Sequence, residues 1–254
     1  ILSHPIDRFF REVDRPRPGG ALEKLIYSVW KTAEESIQSF QQRMLGNVAG
    51  GLEGLGARGL SMNLADERAA YAQHTRITRS SEPLSGTVSI WLDTALDRDP
   101  VHRLLEAACE RFAGYLVLES VPIVNTTHTA PLGQRTPGIT TVAFLEKPDA
   151  MTYEAWLDQW QGQHTRVAIE TQSTFLYIQN VIVRAVTPEA PAWSAIVEEG
   201  FPAEAPTDPM VFFGAGNSRE KLEENRRRLM ESCAKFIDFA RLESHPMSSY
   251  VLMG

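Results

Sequence analysis

The chain has 254 residues, 43% hydrophobic and 22% charged, so it can bury a large core as one domain or as two. Its 25 Lys and Arg residues against 32 Asp and Glu residues give a formal charge of -7, which argues against a nucleic-acid-binding protein. No apolar run reaches the roughly 18 residues of a membrane span, and two cysteines are too few for a disulfide framework. We expect a soluble, cytoplasmic protein that binds neither nucleic acid nor membrane.

The chain divides into an arm and two similar units. Residues 1–20 predict an extended N-terminal arm, and residues 123–138 predict a crossover connection between the units 21–122 and 139–254. Runs rich in β-branched and aromatic residues predict three strands in each unit, and each third strand is followed by a helix and a fourth strand. The predicted first three strands are 24–30, 59–64 and 87–92 in the first unit and 140–145, 174–183 and 193–197 in the second.

An internal similarity supports this division. When the chain is shifted by 124 positions, residues 103–122 fall on 227–246 with eight identities, including Leu-Glu-Ser-x-Pro in both copies. A weaker similarity at a shift of 116 places the apolar helix stripe that ends in Val48 on a stripe that ends in His164. The two units therefore look like copies of one β-α-β-β-α-β unit.

That order of elements is typical of the ferredoxin-like fold, in which two helices cover one face of a four-stranded antiparallel sheet. The run 175–183 is apolar on both faces, so the face without helices must also be buried. We therefore predict an α+β fold in which the two units pack sheet to sheet and form an intramolecular barrel, with four helices outside.

His164 is the strongest candidate for a functional side chain. Burial of an imidazole where the first unit has Val48 costs desolvation and requires a hydrogen-bond partner, so packing alone does not favour it. Tyr177 and Asn180 lie on the strand that follows. Alternation puts them on opposite faces, so at most one of them can share a cavity with His164, and the sequence does not say which.

Other patterns give weaker or negative indications. Gly54, Gly56 and Gly59 match G-x-G-x-x-G, but a helix precedes them and a strand follows, which is the reverse of a dinucleotide site. The histidines are dispersed, so we expect no metal. Glu119 and Glu243 occupy matching places in the Leu-Glu-Ser-x-Pro copies; they could be an acid/base pair, but a shared structural role is favoured. His245 replaces Val121 in the second copy.

The second unit resembles the EthD family of the dimeric α+β barrel superfamily. The resemblance covers residues 139–250 and rests on a helix with Trp156, Trp160 and His164, followed by Tyr177-x-x-Asn180 on a strand. It implies a ferredoxin-like fold whose relatives include cofactor-free cyclases, decarboxylases, dehydratases, isomerases and small monooxygenases, with more distant relatives that bind haem. The first unit resembles the same pattern but has Val48 in place of the histidine, which puts activity there in doubt.

Three functions follow from this. The leading interpretation is a cofactor-independent lyase, cyclase or dehydratase, in which His164 is a general acid/base with a pKa near neutrality and Tyr177 or Asn180 polarises a carbonyl or phenol. Its substrate would be small and hydrophobic or aromatic, polyketide-like or xenobiotic, and would be bound by Trp156, Trp160 and Trp91. The second is a binding or accessory protein, and the third a haem protein with His164 as axial ligand. Further association into a homodimer stays open.

Overall fold

A computed structural model describes residues 22–79 and 82–254, so the predicted arm at residues 1–20 lies outside the described residues. The chain from Leu22 to Ile123 is called the first half below, and the chain from Ile139 to Gly254 the second half. The eight strands are β1 Glu23–Trp30, β2 Gly59–Leu64, β3 Gly86–Leu92, β4 Arg111–Ile123, β5 Ile139–Leu145, β6 Leu176–Ala185, β7 Ala195–Phe201 and β8 Glu243–Met253.

The helices lie between the strands, and two long ones each contain a π-helical segment. The helical elements are α1 Ile37–Arg43, the π-helical segment Met44–Val48, α2 Ala49–Gly54, the 3-10 helix Glu67–Thr75, α3 Asp99–Ala108, α4 Tyr153–Leu157, the π-helical segment Asp158–His164, α5 Thr165–Thr171, α6 Pro209–Phe212 and α7 Arg219–Cys233. The 3-10 helix and α6 are additions to the four predicted helices. None of the helices in the described residues is both long enough and apolar enough to cross a lipid bilayer.

All eight strands form one closed antiparallel barrel in the order β1-β3-β2-β8-β5-β7-β6-β4. The sheet-to-sheet arrangement predicted from the sequence is therefore one continuous sheet, because β2 pairs with β8 and β4 pairs with β6. Closure leaves no strand edge unpaired, and this is why neither half needs a separate cover for its edges.

Alternation along the strands separates a barrel interior from two outer layers. The interior core combines apolar side chains from both halves and contains no helix residue; it includes Ile26, Tyr115, Phe144, Ile196 and Met247. A second core lies between the first-half strands and α1, α2 and α3. A third lies between β5, β6 and β7 and the second-half helices, and it includes Trp156, Trp160 and Tyr177.

The strand registers correct two details of the sequence analysis. β7 continues to Phe201, beyond the predicted end at residue 197, so it carries Glu198 and Glu199 within the sheet. The Leu-Glu-Ser-x-Pro copies do not occupy matching places: β1 begins opposite Val117, near Glu119, whereas Glu243 pairs with Phe144 near the end of β5. The longer turn between α7 and β8 shifts the second copy, so equal spacing in the sequence does not mean equal position in the sheet.

Candidate active site

The third core encloses a cavity of about 210 Å³ between the second-half sheet and its helices. Its wall is largely apolar and includes Trp160, Leu229 and Phe236. Polar and titratable side chains also line it, among them His164, Tyr177 and Glu199. The cavity lies outside the barrel, so the strand side chains that line it come from the helix-facing side of the sheet.

The helical stretch α4–α5 positions His164. Thr152 caps its start, where the side chain accepts a hydrogen bond from the Ala155 amide at 3.2 Å. The π-helical segment ends at His164 and widens the helix there, a feature often found at functional sites. The imidazole is 7% exposed, and its Nδ1 lies 2.9 Å from the Ser232 hydroxyl of α7. The Nε2 atom has no hydrogen-bond partner in the described residues.

Burial lowers the pKa of His164 to about 4. The sequence analysis predicted a base with a pKa near neutrality, and the apolar surroundings change this because they penalise the imidazolium form. The ring is therefore neutral at pH 7. In that state it acts as a hydrogen-bond donor or acceptor and is a weak proton acceptor.

Glu199 is the residue that the sequence analysis missed. Burial raises the pKa of its carboxyl to about 7. No hydrogen bond or ion pair from any described residue stabilises the carboxylate, so desolvation acts without compensation. The signal was present in the sequence as two consecutive glutamates after an apolar strand, since alternation must send one of them to each face of the sheet.

Glu199 lies in a row of three side chains, one on each of three adjacent strands, on the face of the sheet that lines the cavity. It pairs with Tyr177 of β6 on one side and with Thr141 of β5 on the other. Tyr177 accepts a hydrogen bond from Gln179 at 3.0 Å, and burial followed by the nearby Glu199 raises its pKa, so the phenol stays protonated. Burial, with a smaller contribution from Glu199, also raises the pKa of the Cys233 thiol to about 12. This thiol is therefore inert at neutral pH.

Three residues selected from the sequence lie elsewhere. Asn180 faces the barrel interior, where its amide donates to the Ile196 carbonyl and to Glu198, both at 3.1 Å. Trp156 is fully buried behind the cavity, and its indole donates to the Phe236 carbonyl at 3.1 Å. Trp91 lies in the first half, with the Lys24 ammonium 4.6 Å from its ring centroid. Of Tyr177 and Asn180, only Tyr177 lines the cavity with His164.

The barrel interior holds a separate network around Lys24. Its ammonium donates to Glu119 and lies 3.5 Å from Glu198, which also accepts a hydrogen bond from Asn63 at 2.8 Å. Glu243, the glutamate of the second Leu-Glu-Ser-x-Pro copy, has its Oε2 atom 3.1 Å from Nε2 of the buried His245. Glu119 and Glu243 therefore each contact a basic side chain, and neither of them lines the cavity that contains His164. This arrangement favours structural roles for both.

Haem does not fit the residues around His164. The cavity is smaller than the about 300 to 1,000 Å³ typical of cofactor and ligand sites, and the centroid of the Phe236 ring lies 4.7 Å from that of the imidazole. A macrocycle bound at Nε2 would have to displace the helix layer. Within residues 22–79 and 82–254, no cluster of three or more His, Cys, Asp and Glu side chains is arranged to hold a metal ion.

Comparisons with known proteins give matches among solved structures alone. No protein-family model matches the sequence, and no curated protein matches it significantly. An anthrone oxidase-like protein of known structure aligns with a TM-score of 0.54 and 10% identity over 92% of this chain and 94% of that chain. A mutant chlorite dismutase from Candidatus Nitrospira defluvii aligns with a TM-score of 0.43 and 9% identity over 89% and 90% of the two chains. At such low identity the first similarity shows a shared fold alone, which in this chain is one closed eight-stranded antiparallel barrel.

Proposed function

We propose that this chain is a cofactor-independent enzyme of the lyase, cyclase or isomerase type, related to the EthD family, which moves protons on a small aromatic or polyketide-like substrate. One observation carries the proposal: a single apolar cavity contains a carboxyl with a pKa of about 7 and an imidazole with a pKa of about 4. Groups whose pKa values are shifted in opposite directions within one pocket are typical of acid/base sites. Duplication of one unit would explain why only the second half carries both groups.

In this proposal Glu199 is the general base. A pKa near the working pH combines a useful fraction of carboxylate with a strong affinity for the proton that is removed. The carboxylate takes a proton from a carbon next to a carbonyl group, and the electron pair of the broken C–H bond moves into the carbonyl to give an enolate. The proton then returns from Glu199 to another position of the substrate, so that atoms and charges balance.

His164 is proposed to stabilise the enolate oxygen. If the Ser232 hydroxyl donates to Nδ1, the proton of the neutral ring is on Nε2, where it can donate into the cavity. A neutral imidazole beside a glutamate base is an established arrangement for enolisation, of which triosephosphate isomerase is a known example. Tyr177, held protonated, supplies a second donor on the same wall.

The first test measures the pKa of Glu199 without a substrate. Carbon-13 NMR of glutamate-labelled protein should show one carboxyl that titrates near pH 7, and this signal should be missing from the Glu199→Gln variant. Glu220→Gln, an exposed change on α7, is the control and should leave the signal near pH 7 in place. A Glu199 carboxyl that titrates near its ordinary value of 4.5 would contradict the proposal.

The second test looks for the chemistry. Anthrone and 8-hydroxy-1-tetralone have exchangeable C–H groups next to, or conjugated with, an aryl ketone, so base catalysis exchanges them with deuterium in D₂O. Wild-type protein should accelerate exchange of at least one of them above the buffer rate, and Glu199→Gln should abolish the acceleration. Saturable binding of both compounds without any accelerated exchange would instead favour the accessory, small-molecule-binding function.

A further inference from the structure

A second cavity of about 300 Å³ adjoins the one that holds His164 and Glu199. The two cavities, called the outer and the inner cavity below, share four lining residues, Thr141, Phe201, Phe212 and Ser244. The inner cavity alone is smaller than a typical site for a drug-sized ligand, whereas the two together fall within the usual range. A substrate that reaches Glu199 can therefore extend into the outer cavity.

The wall of the outer cavity is suited to an uncharged, flat group. Apart from the shared residues it is lined by Ile139, Ala205, Pro206, Pro209 and Phe213, together with Thr75, whose hydroxyl already donates to the Ala72 carbonyl at 2.8 Å. None of the lining side chains carries a charge. Phe201 and Phe212 line both cavities, and their ring centroids lie 4.9 Å apart.

Two hydroxyls lie where the cavities meet. Thr141 is the cross-strand neighbour of Glu199, and Ser244 follows on the next strand, β8. Neither side chain has a hydrogen-bond partner among the described residues, although both are only partly exposed. An oxygen substituent on a bound molecule can satisfy both, and a purely hydrocarbon ligand leaves them unpaired at a cost.

We propose that the outer cavity is a second subsite of the same enzyme, and this inference rests on the function proposed above. The substrate is then an elongated, uncharged, fused-ring molecule with at least two oxygen functions. The reacting carbonyl lies in the inner cavity between His164 and Glu199, and a second oxygen binds Thr141 and Ser244. The remaining ring lies in the outer cavity against Phe212. Residues of α6 and β5 therefore determine the length of the substrate.

Binding of two probes tests this independently of turnover. 8-Hydroxy-1-tetralone has two rings, and 1,8-dihydroxyanthraquinone has three rings and no enolisable hydrogen. In wild-type protein we expect the three-ring probe to bind at least about tenfold more tightly, since it fills both cavities. Ala205→Trp fills the outer cavity and should remove most of this difference while changing the two-ring affinity less than about twofold. Isothermal titration calorimetry measures both constants.

A second pair of variants covers the case in which Ala205→Trp fails to fold. Thr141→Val and Ser244→Ala keep the shape of the wall nearly unchanged and remove one hydroxyl each, and each should weaken the three-ring probe by about two- to tenfold. Glu220→Gln, an exposed change on α7 that lines neither cavity, is the control and should change neither affinity by more than about twofold.

Three results would overturn the subsite: no saturable binding of the three-ring probe, equal affinities of the two probes in wild-type protein, or equal effects of the variants on both probes. Glu199→Gln separates this inference from the proposed function. If the subsite is correct, this variant retains the preference for three rings. If Glu199→Gln also exchanges deuterium at the wild-type rate while that preference persists, the catalytic proposal fails and the subsite stands.

Discussion

The two halves build the same layers from opposite kinds of side chain. In the first half, the row across β1, β3 and β2 is Leu25, Ile90 and Leu60, all buried against α1, α2 and α3. In the second half, the matching row across β5, β7 and β6 is Thr141, Glu199 and Tyr177. One row is an aliphatic core, and the other lines a cavity.

The helices show the same difference. The first π-helical segment ends at Val48 and the second at His164, and Ser232, the partner of His164, corresponds to Ala108 at the shift that matches α3 with α7. Val48 and Ala108 both belong to the first-half core. The barrel therefore tolerates either kind of side chain in this layer, because the backbone hydrogen bonds of a closed sheet do not depend on the side chains of the outer layer. A few polar replacements are enough to convert a packed layer into a candidate active site.

The largest expected effect is on the exchange rate, and it distinguishes a variant at Glu199 from a variant at Ile90, which has the matching position in the first half. Glu199→Gln should lower the rate of substrate exchange by about 10²- to 10⁴-fold, the scale of a lost general base, with folding retained. Ile90→Ala should cost about 2 to 5 kcal/mol of stability and leave the rate of the folded fraction nearly unchanged. Exchange rates and urea unfolding of both variants check this. Loss of rate in Ile90→Ala at full folding would mean that the first half also takes part in catalysis.

The next largest effect is also on the exchange rate, and it distinguishes a variant at His164 from a variant at Val48, which ends the corresponding π-helical segment of the first half. His164→Asn should lower the exchange rate by about 10²- to 10³-fold, because one preorganised donor to the enolate oxygen is lost. Val48→Ala should cost about 1 to 3 kcal/mol as a truncation in a packed layer, with little change in rate. The same two assays apply. An unchanged rate in His164→Asn would leave Glu199 without its proposed partner.

The pH dependence of stability should have opposite signs for the two site residues. The folded pKa of Glu199, about 7, lies above its ordinary 4.5, so its contribution to the free energy of unfolding falls as pH rises from about 4.5 to 7. The folded pKa of His164, about 4, lies below its ordinary 6.5, so its contribution rises with pH between about 4 and 6.5. The two contributions therefore oppose each other in the wild-type protein.

Variants that remove one of the two groups show how the other and the removed group each contribute to the pH dependence of stability. As pH is raised from 4.5 to 8, the free energy of unfolding of Glu199→Gln should increase by roughly 2 to 3 kcal/mol relative to that of the wild-type protein. As pH is lowered from 7 to 4, the free energy of unfolding of His164→Asn should increase by a similar amount relative to wild type. Urea unfolding at several pH values measures these differences, with Glu220→Gln as the control. Variant and wild-type curves that run parallel would show that the two groups titrate normally in the folded protein.

The smallest effect concerns Glu119 and Glu243, the glutamates of the two Leu-Glu-Ser-x-Pro copies. They occupy matching places in the sequence but different places in the sheet. Glu119→Gln should cost about 1 to 3 kcal/mol, since it weakens the contact with buried Lys24, whereas Glu243→Gln should cost about 1 kcal/mol or less. Neither should change the exchange rate. Equal destabilisation by the two would indicate that they are equivalent after all.

The sequence predicted much of the site through helix periodicity, because a stripe at regular spacing identifies the residues that face the sheet. His164, Trp160 and the contrast with Val48 came from this pattern, and the structure places His164 and Trp160 at one cavity. Trp156 came from the same stripe, but it is fully buried and does not line the cavity, since a stripe identifies the face of a helix and not the position of a cavity along it. Trp91 lies in the first half and does not line this cavity either. Glu199 was missed because acidic residues are rare in strands, and the predicted third strand ended at residue 197, two residues before it.

The order of strands and helices, the barrel within one chain and the helix that carries the histidine can be predicted from the residues alone. They follow from local periodicity and from the need to bury two apolar sheet faces. The face of β6 and β7 that meets the helices is visible only in the folded protein. There Tyr177 and Glu199 line the cavity, whereas Asn180 and Glu198 face the barrel interior. A strand that is buried on both sides has no hydrophobic pattern to fix its facing, so facing depends on register across the closed sheet. The pKa values of the site depend on the same choice, because burial without a partner exists only once the layers have packed.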